Sequence, residues 1–505
     1  MTINSVSRNS ANTDLLLSMR AELDVLQRQL GTGQRAQSYA ELGESRLTSI
    51  NTRAELASID AYQQTIGRTE VTLSIMSDTL SRLDDLALEV KEEALTTSLA
   101  LDDGVRTAAQ IATGYRMEDM VAMLNTDIDG RYLFSGLSAD TEPVAPPDVI
   151  LDGEGGQAGL RQVMAERLEA DLGGTLADSP LSGRLALGVG GTTVSLADTA
   201  SGPFGFALDV ASGASSSSPN LTTAVLPGPP ASLDLTVTGS IDVGETVRFT
   251  LSLPDGTTEN VTLMAAETRQ PGDRSFVVDG DNLVTAANIQ AALEDVIDEL
   301  ARTELAAASA EEAGKDFFDN DPPLRVDPDP ALGLAGASAQ VADPAGTVSW
   351  YRGEDGPVDA RLTATARIDD GQQVRYGARA NEDALRTILR ETAVFTAFDF
   401  SLADDAGTDR YQAMAGRTRD NLDDPTGGTL PRAINVEVGT AGSLLASTDE
   451  RLTSTRALLQ TILDDTDGVS QEEVATRILN LQTRLEASYS VTAILQDLSL
   501  VNFLR

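Results

Sequence analysis

Apolar residues recur every three or four positions through both ends of this chain, and the rhythm is lost in the middle. Near the start, Leu16, Met19, Leu23, Leu26 and Leu30 form a stripe before Gly31-Thr32-Gly33, where two glycines weaken a helix. A second series runs through Ile59, Tyr62, Ile66, Thr69, Leu73, Met76, Leu80, Leu83, Ala87, Val90 and Ala94 and predicts a heptad seam on one long helix. After Asp102-Asp103-Gly104, the stripe Ile111, Met117, Val121, Leu124 and Ile128 predicts a third helix that stops near Asp129-Gly130. The far end mirrors this. Helices are expected at 382–398 and 408–422, ahead of Pro425-Thr426-Gly427-Gly428. Ile434, Val438, Ala441, Leu445, Thr448, Leu452, Thr455, Leu459 and Ile462 then form another seam, ended by Asp464-Asp465-Thr466-Asp467-Gly468. Ser470 and Glu473 fit a capping box that opens the terminal helix. Its stripe is Val474, Ile478, Leu481 and Leu485, then Val491, Leu495, Leu498 and Asn502, with Leu504 close to the end.

Between these ends Gly, Pro, Ser and Thr become frequent, as in SGASSSSPN and LPGPPAS, and period-two strands appear. Strands are expected at 233–238, and at 247–253 joined through Pro254-Asp255-Gly256-Thr257 to 259–264. A second hairpin runs from 360 to 368, turns at Asp369-Asp370-Gly371 and returns through Val374 and Tyr376. One helix, about 286–318, interrupts them. The reading is α+β: paired, coiled-coil-like N- and C-terminal helices and a helical rod domain, with a β-rich central insertion forming the outer part. Residues 1–42 are expected to be an N-terminal assembly helix pairing with 470–505. Residues 43–145 form a helical rod completed by 380–469, and 146–379 form the variable outer region. Two separate helical domains flanking a sheet domain are the alternative.

Composition narrows the chemistry. The 505 residues carry a net charge of −41, with Lys91 and Lys315 the only lysines. That balance opposes phosphate backbones and anionic lipid surfaces, which need clustered cations, so neither nucleic acid nor membrane insertion is expected. With no Cys and no His, thiolate nucleophiles, Ser-His triads and Cys/His zinc sites are excluded. Only carboxylate, Ser/Thr/Tyr or oxygen-ligated metal chemistry remains. The first residues lack a basic segment followed by an apolar core, so no ordinary signal peptide is read there. On composition alone the chain reads as cytoplasmic.

Candidate motifs are weak. Gly153-Glu154-Gly155-Gly156-Gln157-Ala158 matches G-x-G-x-x-A, but its strand is short and no βαβ series surrounds it, so a plain Gly-rich loop is expected. Asp316, Asp319, Asn320, Asp321, Asp327 and Asp329 crowd one loop without EF-hand spacing and read as surface charge. A glycosidase pair cannot be singled out among 78 acids, and aromatics, at 4%, are too sparse for a sugar cleft. No catalytic, cofactor or metal residue is assigned; a calcium-binding adhesin and a carboxylate glycosidase stand as distant alternatives.

Several segments resemble the flagellin superfamily. Leu30-Gly31-Thr32-Gly33-Gln34-Arg35 is similar to its L-S-[ST]-G-x-R, and Leu485-Glu486-Ala487-Ser488-Tyr489 with Leu498-Ser499-Leu500-Val501-Asn502-Phe503-Leu504 is similar to its C-terminal ending. Asp129-Gly130-Arg131-Tyr132-Leu133-Phe134-Ser135-Gly136, followed by Thr141-Glu142-Pro143-Val144, resembles the N-G-R-Y-[IL]-F-[AS]-G stretch of the hook–filament junction branch, the third hook-associated protein. The segment from Trp350 to Glu382 resembles one found in some alphaproteobacterial members. Where the family usually has S-x-x-D-D, this chain has Ser38-Tyr39-Ala40-Glu41-Leu42, a departure that favours the junction branch over filament flagellin. The likeness covers about residues 1–145 and 345–505. It implies a non-enzymatic, extracellular structural subunit exported without a cleaved signal. The implied partners are hook-associated proteins, flagellin, copies of itself and an export chaperone. Leu16, Leu23, Leu26, Leu30, Leu481, Leu485, Leu495 and Leu498 are the residues expected to carry assembly. By the same likeness, the terminal stripe would be buried only in the assembled tube, against the N-terminal helix and neighbouring subunits.

Overall fold

The computed structural model describes the backbone of residues 3–95, 99–102, 104–199, 202–270, 272–401, 406–423 and 431–503, with side chains between 13 and 494. In chain order, helices α1 (Ile3–Thr32), α2 (Arg46–Glu93) and α3 (Ala108–Leu124) come first. Strands β1 (Asp127–Ile128) and β2 (Arg131–Tyr132), helix α4 (Pro147–Asp152), strands β3 (Gly153–Glu154) and β4 (Gln157–Ala158) and helix α5 (Leu160–Leu172) follow. The strand-rich centre holds β5 (Leu185–Gly190), β6 (Thr193–Asp198), β7 (Ala207–Leu208), β8 (Ala214–Ser216), β9 (Leu221–Leu226), β10 (Ser232–Val237), β11 (Thr246–Ser252), β12 (Thr258–Ala266) and β13 (Ser275–Val277). Helices α6 (Asn282–Leu300) and α7 (Ala306–Phe318) precede β14 (Leu324–Asp327), β15 (Ala339–Ala342), β16 (Thr365–Asp369) and β17 (Gln372–Arg375). Helices α8 (Asp383–Ala397), α9 (Gly407–Leu422), α10 (Arg432–Asp467) and α11 (Gln471–Phe503) complete the chain. The fold is α+β, with helical termini and a β-rich central region.

The chain divides into two compact units. The first comprises Met1–Val71, Ala366–Val374 and Gly442–Arg505; the second comprises Thr72–Thr365 and Arg375–Ala441. In the first, α2 and α10 run antiparallel. Ser49 Oγ donates to Asp467 at 2.8 Å and, further along, Gln63 Nε2 donates to Asp449 at 3.0 Å. The β16–β17 hairpin is held to this pair by the Arg451–Asp369 ion pair at 2.6 Å and by Arg367, 5.9 Å over the Tyr62 ring. In the second unit the same helices meet through Ser77 to Asn435 at 2.7 Å and Arg432 to Asp84 at 2.8 Å. The predicted seams are buried: Ile59, Ile66, Leu73, Met76, Leu80, Leu83 and Val90 on α2, and Ile434, Val438, Leu445 and Leu452 on α10.

A large hydrophobic cluster lies within the second unit. One sheet has the order β5-β6-β10-β9, all antiparallel; the other runs β13-β12-β11-β7, with β8 also on β11. Alternate residues point inward, as a half-buried strand requires. Leu233, Leu235 and Val237 of β10 and Val247, Phe249 and Leu251 of β11 meet Ile289, Leu293 and Val296 of α6. Beyond α6 the helix loosens into a π turn at Ala301–Leu305 before α7, so the single helix expected over 286–318 is interrupted.

Other expectations need correction. Ile128 belongs to β1 rather than to the third helix, because Asp129 and Gly130, at φ 54° and 76°, make the hairpin turn that Asp-Gly favours. Residues 360–363 form a 3₁₀ turn, and the hairpin begins only at Thr365. Of the aspartates read as surface charge, Asp316 is buried, whereas Asp319, Asp321 and Asp327 are exposed. Arg167 donates to Asp316 at 2.5 Å, and Arg390 and Arg386 each pair with Asp319 at 3.0 Å. Among the described residues, no cluster of three or more acids could hold a metal ion, and no helix is long and apolar enough to cross a membrane. The Gly-rich loop is the β3–β4 turn, with Gly155 and Gly156 at positive φ.

Candidate functional site at the paired chain ends

The two chain ends come together in the first unit. Helix α1 stops after Thr32, where Gly33 takes φ 69°, a conformation glycine adopts without steric penalty, and donates its N–H to Gln29 O at 2.7 Å. The chain then forms a β-bridge between Gln34 and Gly468. Arg35 N–H donates to Asp467 O at 2.7 Å, and Val469 N–H to Gly33 O at 3.1 Å. Ser470 Oγ next accepts from Glu473 N at 3.3 Å and opens α11, which runs back along α1. The Gly33-Gln34-Arg35 segment is therefore a clasp between residues more than 430 positions apart.

Asp467 anchors the clasp from the side. Its Oδ2 accepts from Ser49 Oγ at 2.8 Å and from Arg53 Nη2 at 2.7 Å. The hydrogen bond to Asp467 holds Arg53 more firmly protonated than a free guanidinium. Where the flagellin pattern has its acidic pair, Glu41 accepts from Gln37 N–H and Ser38 Oγ, each at 3.1 Å. Those bonds, the Gln37 N–H first, hold its carboxyl below the usual range.

Past the clasp, Leu26 of α1 is buried with Val474, Ile478, Leu481 and Leu485 of α11, and Leu16, Met19 and Leu23 pack against them half-buried. Each such side chain contributes about 1.5–3 kcal/mol when fully covered. The expectation that this stripe waits for the assembly is thereby corrected for Leu481 and Leu485: α1 of the same chain already covers them. Leu30 stays 36% exposed at the helix end and does not join the cluster. Leu495 and Leu498 lie outside the residues whose side chains are described.

Both helices also carry apolar side chains that stay exposed among the described residues. Leu15, Leu17 and Val25 on α1 and Leu479, Tyr489, Val491 and Ile494 on α11 are exposed. Asp467, Ser49 and Arg53 were not singled out in the sequence. The available signal was the run of acids ending α10, where the helix dipole disfavours negative charge and a counter-charge is needed.

A second tie joins the other segments that carry the resemblance, within the second unit. Ala380 N–H donates to Phe134 O at 2.8 Å, Glu354 N–H to Ser135 O at 3.0 Å, and Arg352 N–H to Pro143 O at 2.7 Å. Phe134 is fully buried, and Arg379 pairs with Glu354 beside Gly136. Backbone hydrogen bonds thus tie the Asp129–Gly136 stretch to Glu354 and Ala380, the parts of the Trp350–Glu382 stretch on either side of the hairpin that belongs to the first unit. Neither a search against protein families nor one against curated proteins finds a match to the chain.

Proposed function

We propose that this chain is a structural subunit of the bacterial flagellum, the adaptor that joins hook to filament, and that it assembles through its terminal helices. The observation that carries the reading is the pairing of a 30-residue helix from one chain end with a 33-residue helix from the other. The segment most similar to the flagellin pattern clasps them, and apolar side chains remain exposed on both. Most of a helix's stability in a protein comes from packing its apolar face, and part of that face stays exposed on both helices. Further copies of the chain, the hook-associated proteins below and flagellin above would cover it outside the cell. An export chaperone would shield the helices before secretion. No cofactor and no catalysis enter this role.

The junction reading predicts a bounded assembly. A filament subunit repeats head to tail without limit, whereas an adaptor has a lower surface fitted to the hook and an upper one fitted to flagellin. Concentrated with sulfate, which strengthens apolar burial, the purified protein is expected to stay monomeric or form short oligomers. A deletion strain should build hooks yet shed flagellin into the medium, and labelled protein should sit at the base of the filament. Long filaments grown from the protein alone, or label along the whole filament, would instead assign it as a filament flagellin.

A further inference from the structure

Three helices of the second unit meet on two carboxyl groups that the assembly role does not use. Glu311 of α7 and Glu391 of α8 are 1% and 0% exposed, and they lie within hydrogen-bonding reach of each other. Asn421 of α9 bridges them: its Nδ2 donates to Glu311 Oε2 at 3.1 Å and to Glu391 Oε2 at 3.0 Å. Arg390 donates to Glu391 Oε1 at 3.0 Å, whereas Glu311 Oε1 has no partner. Two ionised carboxylates this close and this dry repel each other, and one guanidinium answers only one of them. A shared proton resolves the conflict, since a carboxylic acid can donate where a carboxylate cannot.

We propose that Glu311 and Glu391 share one proton in the folded chain, making the packing of α7 against α8 and α9 a proton-dependent lock that loosens on the alkaline side. The inference rests on no part of the flagellar reading. The charged groups facing Glu311 are Arg390 and Glu391 from α8 and Arg417 from α9. From the other packed elements, Arg167 of α5 is shared between Asp171 and Asp316, Arg325 of β14 is taken by Glu166, and Glu304 of the π turn pairs with Arg417. Burial first, then the neighbouring Glu391, push the Glu311 carboxyl well above the usual range. The folded chain therefore holds this proton more tightly than the unfolded one. The stabilisation is complete below the ordinary glutamate pKa and is lost as pH rises through the raised value.

The sequence makes the test unusually clean, because a chain with no His and no Cys has no ordinary side chain titrating from about pH 6.5 to about pH 8. Thermal melts of the full chain from about pH 6.5 to about pH 9 should show Tm falling by about 3 °C or more. Glu311→Gln, which can still donate to Glu391, should flatten that slope. Asp316, pushed by burial up to about 6, titrates lower, so Asp316→Asn should leave the slope in place. A flat wild-type profile, or a slope that survives Glu311→Gln, would overturn the proposal. If Glu311→Gln does not fold, infrared spectra of the wild type labelled with ¹³C-glutamate decide the matter. A protonated carboxyl band at neutral pH that vanishes on alkalinisation supports the shared proton, and its absence overturns it. A Tm raised by calcium or magnesium chloride in the wild type and not in Glu311→Gln would assign the pair to a cation instead.

Discussion

Gly314 of α7 packs directly against α8: a Cβ there would stand 2.5 Å from Val394 Cγ2 and 3.3 Å from Arg390 Cγ. Val394 is β-branched and fully buried, and Arg390 is tied to Asp319 and Glu391, so neither can swing aside freely. Gly314→Ala should therefore destabilise the protein. Overpacking costs about 1–3 kcal/mol, against about 1 kcal/mol gained in helix propensity. A lower urea midpoint would report the crowding; a higher one would mean the helices part easily. The sequence holds a trace of this contact. Ala307, Glu311, Gly314 and Phe318 follow a four-three-four spacing, and Glu391 stands between Ile388 and Phe395 on the buried side of α8. An apolar period does not register a glycine or a glutamate, so the tight contact at Gly314 and the buried pair both passed unread.

At the level of elements, the long seams were legible because each step of three or four places a large apolar side chain on one face, and tertiary packing kept that face. Short elements were not. The β1–β2 hairpin hid behind a helical stripe whose last member, Ile128, kept the spacing by coincidence, and only the Asp-Gly turn chemistry separates the two. The clasp is likewise a matter of turn chemistry and caps. Helix α10 ends with Asp464, Asp465 and Asp467, acids that oppose the helix dipole, and only the meeting of Asp467 with Ser49 and Arg53 makes its carboxylate useful. Asp467→Ala should cost about 1–3 kcal/mol by stranding those donors. The loss should be local, so the Arg35 and Val469 amides, which bond across the clasp, should exchange with solvent faster. Unchanged exchange at both would mean that the backbone bridge holds without its side-chain anchor.

For the whole molecule, the pairing of the ends was readable because each carried a stripe with nothing nearby to cover it. The division into two compact units was not, since α2 and α10 continue their helical period straight through 71/72 and 441/442. A single fluorophore can test that division. Trp350, the only tryptophan, is buried in the second unit, where its Nε1 donates to Phe318 O at 3.0 Å and its ring lies 5.2 Å from that of Phe318. Its emission reports that unit alone, while far-ultraviolet circular dichroism reports helix everywhere. Leu485 belongs to the small cluster between α1 and α11 in the first unit. The sheet-and-helix cluster from Leu172 to Ala308 draws no residue from that unit. Leu485→Glu buries a carboxylate among leucines, at several kcal/mol if it stays desolvated, more than one covered leucine contributes. The α1–α11 pair should then come apart, because a helix in a protein draws most of its stability from the packing of its apolar face. Urea titration should show helical signal lost early, with the Trp350 midpoint where it is in the wild type. If the Trp350 midpoint falls together with the helical signal, α2 and α10 carry the loss from one unit into the other, and the two units unfold as one.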